Sequence, residues 1–135
     1  MTKKIITPKE REEQVGFFRW ISLHPDAAQA RGLIFAVPNG ARVTIGQGVK
    51  LKAEGLMTGV PDIFLALPKG RYHGLFIEMK RIGGRKPGTE QVEWMNRLKD
   101  KGYAVALCFG AEEAKTDLIK YIDGKWGKNE TGSCN

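Results

Sequence analysis

Residues 59–80 read GVPDIFLALPKGRYHGLFIEMK, and this stretch decides the fold. It holds two apolar segments, residues 63–67 and residues 75–79, which are separated by a short run containing proline, lysine and glycine. Two short apolar runs divided by such residues are typical of a β-hairpin with a longish loop. The stretch therefore predicts two antiparallel strands.

Three charged residues lie in this most apolar part of the chain. Asp62 opens the first predicted strand, and Glu78 and Lys80 lie near the end of the second. Because side chains alternate between the two faces of a strand, Glu78 and Lys80 share one face and Met79 points to the other, into the core. Hairpin pairing brings Asp62 alongside them. The sequence therefore predicts two carboxylates and one ammonium group at one end of a sheet.

This cluster favours metal-assisted hydrolysis. Two carboxylates held close together destabilise each other's ionised form, and a hard divalent cation such as Mg²⁺ or Mn²⁺ removes that conflict. A bound metal polarises a phosphoryl oxygen, and a nearby lysine orients or deprotonates the attacking water or offsets charge in the transition state. The alternative is structural, with a turn aspartate after Pro61 and a plain Glu-x-Lys pair.

The chain before the hairpin begins with a predicted helix. Thr7 is a good N-cap, Pro8 suits the first helical position and Glu10 completes a capping box, while Pro25 ends the helix. The apolar positions at helical spacing are Val15, Phe18 and Ile21, with Phe17 beside them. The aromatic residues Phe17, Phe18 and Trp20 exceed what one helix face buries, which favours an interface there.

The remaining patterns predict the other elements of the fold. Besides the hairpin strands, we expect strands at residues 33–37 and 103–109, and helices at residues 47–54, 89–102 and 111–122. This order predicts an α/β fold with a small mixed β-sheet flanked by helices. Residues 1–122 form the predicted domain, and residues 123–135 form a polar tail. The presence of Trp126 favours docking of part of this tail onto the domain.

The composition fits one globular domain with an anionic partner. The chain has 135 residues, with 22 Lys and Arg against 15 Asp and Glu, and a net charge of +7. Nucleic acid is the first candidate partner and an acidic membrane surface the second. Cys108 and Cys134 offer no zinc pattern. Since no apolar run is typical of a signal peptide or a membrane span, we expect a cytoplasmic protein.

The motifs resemble those of the PD-(D/E)xK nuclease superfamily, with Pro61-Asp62 as the first half and Glu78-Met79-Lys80 as the second. More narrowly, the chain resembles the VRR-NUC (virus-type replication-repair nuclease) family over nearly its whole length. Further stretches that carry this resemblance are Pro38-Asn39-Gly40, Leu51-Lys52-Ala53-Glu54-Gly55, Gly59-Val60, Gly74-Leu75-Phe76-Ile77 and Glu90-Gln91-Val92-Glu93-Trp94. The resemblance implies a restriction-endonuclease-like core and metal-dependent cleavage of DNA.

The resemblance also implies a metal centre and a catalytic lysine. Asp62, Glu78 and the carbonyl oxygen of Met79 would bind Mg²⁺, for which Mn²⁺ would substitute, and Lys80 would serve catalysis. The virus-type family further implies a viral or prophage origin, so the place of action would be a host cytoplasm.

Two more residues are assigned to the site from the resemblance. Family members carry a glutamate on the first helix, and Glu10 fits it because Glu10 and Gln14 are four residues apart and share a helix face. The capping box explains Glu10 without any metal. Gln91 follows the catalytic strand and would contact a phosphate or a water, and the alternative is a solvent-facing helix residue.

Residues around the predicted site are candidates for nucleic-acid contacts. Those that follow Lys80 are Arg81, Arg85 and Lys86, and those that precede Pro61 are Arg42, Lys50 and Lys52. Asn39 is a further candidate, although an Asn-Gly turn needs no other reason. Each of the basic residues, taken alone, is an ordinary solvated surface charge.

We therefore predict a Mg²⁺-dependent DNA endonuclease that acts on branched or structured DNA such as four-way junctions. A homodimer would supply one site for each of the two strands to be cut. The alternatives are a ribonuclease of the same fold and a DNA-binding module without turnover. The intact set of Asp62, Glu78 and Lys80 argues against the module, because buried acids repel phosphate. The hairpin motif does not separate RNA from DNA.

Overall fold

The hairpin of residues 59–80 lies in the middle of a mixed sheet. The computed structural model describes residues 9–38 and 44–128. Within these ranges four strands form one sheet in the order β1 (Ile34–Ala36), β2 (Ile63–Leu65), β3 (Leu75–Lys80) and β4 (Ala104–Phe109). The pairs β1–β2 and β2–β3 are antiparallel, and β3–β4 is parallel. The prediction of a small mixed β-sheet is confirmed.

Helices cover both faces of this sheet. They are α1 (Glu10–Leu23), a 3₁₀ helix (Pro25–Ala30), α2 (Ile45–Ala53), α3 (Thr89–Asp100) and α4 (Ala111–Ile122). Helix α3 is the crossover that joins the parallel strands β3 and β4, since a tight turn cannot connect them. Within the described part of the chain, no helix is both long and apolar enough to cross a bilayer.

The alternation of side chains along β3 separates the core from the site. Leu75, Ile77 and Met79 are fully buried and belong to one core cluster with residues of α1 and α4. The other members from those two helices are Phe17, Ile21, Ala114, Leu118, Tyr121 and Ile122. Glu78 and Lys80 therefore face the opposite side, where α3 lies.

The start of α1 differs from the prediction. The helix begins at Glu10, and the backbone N–H of Lys9 donates to the Glu12 carboxylate at 3.2 Å. The predicted box, in which Glu10 is the third helical residue, is therefore wrong, because Glu12 takes that place. Thr7 and Pro8 lie outside the described residues.

The aromatic residues of α1 do not form a free apolar face. Phe17 is fully buried, whereas Val15, which the periodicity assigned to the core, is 45% exposed. Phe18 and Trp20 are partly buried and pack against the core cluster. The fold itself therefore buries part of these rings, and an interface at the remaining surface stays a prediction.

Tyr121 ties α4 to the hairpin loop. Its hydroxyl donates to the backbone carbonyl of Leu67 at 2.6 Å, and burial raises the pKa of Tyr121 to about 12. We expect Tyr121→Phe to lower the free energy of unfolding by roughly 1–2 kcal/mol, because the carbonyl loses its donor. Urea denaturation measures the loss. Tyr103→Phe, which leaves this bond intact, is the control, and equal losses in the two variants would contradict the assignment.

Candidate active site

The register of the hairpin places Asp62 opposite Glu78. Ile63 pairs with Ile77 in the antiparallel register, so one residue further along each strand Asp62 lies opposite Glu78. The Asp62 carboxylate accepts a hydrogen bond from the backbone N–H of Met79 at 2.8 Å. Asp62 is 8% exposed and Glu78 is 1% exposed. The strand pairing thus holds two carboxyl groups side by side at a sheltered end of the sheet.

Gln91 links the two charged residues of β3. Its amide nitrogen donates to Glu78 Oε1 at 3.0 Å, and its amide oxygen accepts from Lys80 Nζ at 3.1 Å. The same oxygen accepts from the backbone N–H of Gly88 at 2.9 Å, which fixes Gln91 in the first turn of α3. The crossover helix therefore positions both side chains, and Lys80 Nζ lies 3.7 Å from Glu78 Oε1.

Glu78 is in an environment that disfavours its charge. Its pKa is raised to about 8, first by burial and then by the negative charge of Asp62. The Lys80 ammonium acts in the opposite direction, while a hydrogen bond with Asp62 and the charge of Glu10 raise the pKa further. The second oxygen, Glu78 Oε2, is buried and accepts no hydrogen bond within the described ranges. A proton or a cation at this oxygen would relieve the conflict.

The donor set fits a divalent cation of the Mg²⁺ type. Such an ion takes oxygen ligands, keeps several waters and often binds through one or two carboxylates. Asp62 and Glu78 supply those two carboxylates, and the unsatisfied Oε2 atom gives the ion a place. In residues 9–38 and 44–128, no group of three or more His, Cys, Asp or Glu side chains is arranged to hold a metal ion.

Two glutamates of α1, Glu10 and Glu13, have different environments. Glu10 is half-buried, and its charge reaches Glu78. Glu13 is buried, and its carboxylate accepts from the backbone N–H of Ala111 at 2.5 Å, at the start of α4. The residue before that helix is Gly110, which has no capping side chain. Glu13 therefore caps α4 from another helix.

We expect Glu13→Ala to lower the free energy of unfolding by roughly 1–2 kcal/mol, because the N–H of Ala111 loses its acceptor. The loss, measured by thermal unfolding, should be the same in EDTA and in Mn²⁺. The exposed neighbour Glu12 gives the control variant Glu12→Ala, with a smaller loss. A Glu13→Ala loss seen only with Mn²⁺ would show that Glu13 acts through a metal instead.

The basic candidates lie outside this cluster. Lys50 and Lys52 are exposed on α2, and Arg81, Arg85 and Lys86 are exposed in the segment that joins β3 to α3. Asn39 and Arg42 lie outside the described residues. The structure thus brings together Asp62, Glu78, Lys80 and Gln91, and places five of the basic candidates at the surface.

Sequence reasoning missed how the segment between α2 and β2 packs against α3. Gly59 has a φ of +90°, and a Cβ there would lie 3.0 Å from atoms of Glu90. A side chain at this position would therefore push the Asp62 segment away from the helix that carries Gln91. Gly59 belongs to a stretch that carries the family resemblance, but the sequence does not show which residue it approaches, so the contact is visible only in three dimensions.

The mixed sheet, its flanking helices and the paired carboxylates define an α/β protein with a nuclease-like core. A VRR-NUC domain family model matches residues 9–112, and the chain belongs to this nuclease family. A solved structure of a VRR-NUC domain protein is similar in fold, with a TM-score of 0.72 and 24% sequence identity over 87% of this chain and 91% of that chain. No curated protein sequence gives a significant match.

Proposed function

We propose that this protein is a metal-dependent endonuclease that hydrolyses phosphodiester bonds in DNA, with a preference for branched DNA such as four-way junctions. The observation that carries the proposal is the buried oxygen Glu78 Oε2, which has no hydrogen-bond partner among the described residues and belongs to a carboxyl group whose charge Asp62 further disfavours. A site built only for stability would satisfy that atom, because an unpaired buried polar group is costly. Its neighbours Lys80 and Gln91 complete the proposed catalytic set.

Asp62 and Glu78 would hold Mg²⁺ or Mn²⁺ in this proposal, with the Met79 carbonyl as a further ligand. Glu10 would act through its negative charge, because three acidic side chains of the described residues are not arranged together around an ion. When bound, such an ion polarises a phosphoryl oxygen and lowers the pKa of a coordinated water. The backbone N–H of Met79 holds the Asp62 carboxylate in place, which supports its role as a ligand. Neutralising the two carboxylates also removes their repulsion of the phosphate backbone.

Lys80 would orient the attacking water or stabilise charge on the phosphate. Its side chain is 15% exposed, so it is mostly buried but still partly accessible. Gln91 fixes its position by accepting a hydrogen bond from the ammonium group. The remaining protons of the ammonium are available for a water or a phosphoryl oxygen.

The exposed basic residues would hold the DNA backbone next to this site. Arg81, Arg85 and Lys86 follow Lys80 in the chain, and Lys50 and Lys52 on α2 form the second group. Arg42 and Asn39, which lie outside the described residues, are proposed as contacts from the sequence alone. Contacts of this kind position the substrate without reading its sequence. They are therefore consistent with an enzyme that selects DNA by its branched shape, in the cytoplasm.

A cleavage assay on end-labelled substrates tests the proposal. Duplex, single-stranded, flap and four-way-junction DNA are incubated with Mg²⁺ or Mn²⁺, with EDTA and an RNA of matched sequence as controls. Symmetric metal-dependent nicks in the junction are the expected result. Preferential cutting of flaps or ends would overturn the junction preference, and cutting of RNA alone would favour a ribonuclease. Tight DNA binding without any cutting would favour a binding module.

The junction proposal includes a homodimer, because two strands are cut and a two-fold assembly supplies two sites. Ile45 and Val49 of α2 are four residues apart, share a helix face and are 90% and 64% exposed. An exposed apolar face of this kind supports burial between two copies. Analytical ultracentrifugation should therefore give twice the mass of the chain. A monomer at assay concentrations would contradict the dimer.

A further inference from the structure

A basic groove lies at the end of the sheet opposite Glu78 and Lys80. A cavity of about 750 Å³ opens between the hairpin loop, the C-terminal ends of α3 and α4, and the start of β4. A second cavity of about 280 Å³ adjoins it and shares Arg71, Tyr72 and Trp126. We call the two cavities together the distal groove.

The charge of the distal groove is strongly positive. Among the described residues that line it, the only acidic one is Asp100, and five are basic, namely Lys69, Arg71, Lys99, Lys120 and Lys128. Lys99 and Lys120 lie in the last turns of α3 and α4, where a cation also stabilises the helix end. That explanation does not cover Lys69, Arg71 and Lys128, which lie outside the helices. The groove therefore complements an anionic partner.

Aromatic rings lie between these charges. Tyr72, Tyr103 and Trp126 line the groove and are partly buried, so each keeps an accessible portion. The Lys120 ammonium lies 5.7 Å from the centre of the Trp126 ring. Aromatic surfaces alternating with basic side chains are the feature by which proteins bind unpaired nucleotides, because bases stack on the rings while the phosphates meet the charges.

The distal groove is separate from the candidate active site. Leu75 pairs with Ala104 at the groove end of the sheet, and Lys80 pairs with Phe109 at the other. Five residue steps along a strand span about 17 Å. This distance equals about five stacked nucleotides at about 3.4 Å each. A nucleic acid held in the groove is therefore a few nucleotides away from the bond that would be cut.

We propose that the distal groove binds a single-stranded segment of nucleic acid, with bases against Tyr72, Tyr103 and Trp126 and phosphates on Lys99 and Lys120. The proposal rests on the proposed nuclease function only in that it names a second part of the same substrate. An unpaired segment beside a branch point has accessible bases, whereas the bases of a duplex are stacked inside. The groove would thus direct the enzyme to places where strands separate.

Nuclear magnetic resonance of the ¹⁵N-labelled full chain tests the proposal. A single-stranded oligo(dT) of roughly eight nucleotides is added in EDTA, which prevents metal-dependent cleavage. The indole N–H signal of Trp126 should shift saturably, while those of Trp20 and Trp94, which lie outside the groove, should stay in place. A DNA hairpin of matched length should move the Trp126 signal only at higher concentration.

A double variant measures the contribution of the charges. In Lys99→Gln/Lys120→Gln, the slope of log affinity against log salt should fall in magnitude by about 1.4, or about 0.7 for each lost phosphate contact on a single strand. Arg11→Gln/Arg19→Gln removes two exposed charges of α1 and should leave the Trp126 titration unchanged.

Three outcomes would overturn the proposal that the distal groove binds single-stranded nucleic acid. They are an immobile Trp126 signal when the oligonucleotide shifts signals elsewhere, equal effects of the two double variants, and tighter binding of the duplex hairpin. Cleavage by the wild-type enzyme in Mg²⁺ is scored separately. An active nuclease with an immobile Trp126 signal contradicts the groove alone, and an inactive protein with a shifting signal contradicts the nuclease alone.

Discussion

Replacing Lys80 with alanine is expected to lower the rate of DNA cleavage by about 10²–10⁴-fold, the range in which a positioned proton-transfer group or charge acts. The reason is its location, since Lys80 Nζ lies 3.1 Å from the Gln91 amide oxygen and 3.7 Å from Glu78 Oε1. The measurement is a single-turnover rate on the preferred DNA with Mn²⁺ and enzyme in excess. DNA affinity, measured separately in EDTA, should change little because one charge of many is lost.

Lys101→Ala is the matched control for this variant. Lys101 carries the same charge, but its side chain is 78% exposed and lies just after α3, at the other end of the sheet. Its rate should equal that of the wild type. Equal rates for Lys80→Ala and the wild type would show that the ammonium does not take part in the reaction.

Glu78→Gln is expected to stabilise the protein in the absence of metal at pH 8 and above. The pKa of Glu78 rises from 4.5 to about 8 on folding. Below pH 4.5 the group is protonated in both states, so it carries no penalty. Between pH 4.5 and pH 8 the unfolded chain releases the proton that the folded chain keeps, so the free energy of unfolding falls by roughly 1.4 kcal/mol per pH unit. Above pH 8 the penalty stays constant.

The comparison is made by urea denaturation in EDTA from pH 5 to pH 9. The difference between Glu78→Gln and the wild type should grow with pH across this window and then level off. Adding Mn²⁺ at pH 8 should stabilise the wild type and leave the variant nearly unchanged, because the ion loses a ligand. Glu93→Gln, an exposed change on α3, is the control. A difference independent of pH would contradict the raised pKa.

The fold followed from local patterns wherever the pattern was long or bounded by proline and glycine. The α4 prediction agrees with its observed bounds, Ala111–Ile122, and the order of elements is the predicted one apart from the 3₁₀ helix Pro25–Ala30, which was not predicted. The errors in the predicted bounds occur at ends of strands and helices that are determined by contacts with residues distant in the sequence. The first hairpin strand was predicted to reach residue 67 but ends at Leu65, and the next N–H, of Ala66, donates to the Leu33 carbonyl. The sequence pattern around Ala66 does not show that its hydrogen-bond partner is Leu33.

The site was predictable to the extent that strand geometry fixes it. Alternation along β3 puts Glu78 and Lys80 on one face, and hairpin pairing brings Asp62 beside them. The bridging position of Gln91 was not predictable in the same way, because it depends on where the crossover helix meets the sheet. The same holds for Glu13, whose acceptor role joins residues 98 positions apart.

The six residues of β3, LFIEMK, serve two purposes in alternation. Changes at Leu75, Ile77 or Met79 act on core packing, and changes at Glu78 or Lys80 act on the site, so the two properties are separately adjustable within one strand. A residue inserted inside the strand would exchange the two sets, sending Glu78 toward the core and Met79 toward solvent. We therefore expect insertions to be tolerated in the loop before β3 but at no position within the strand itself.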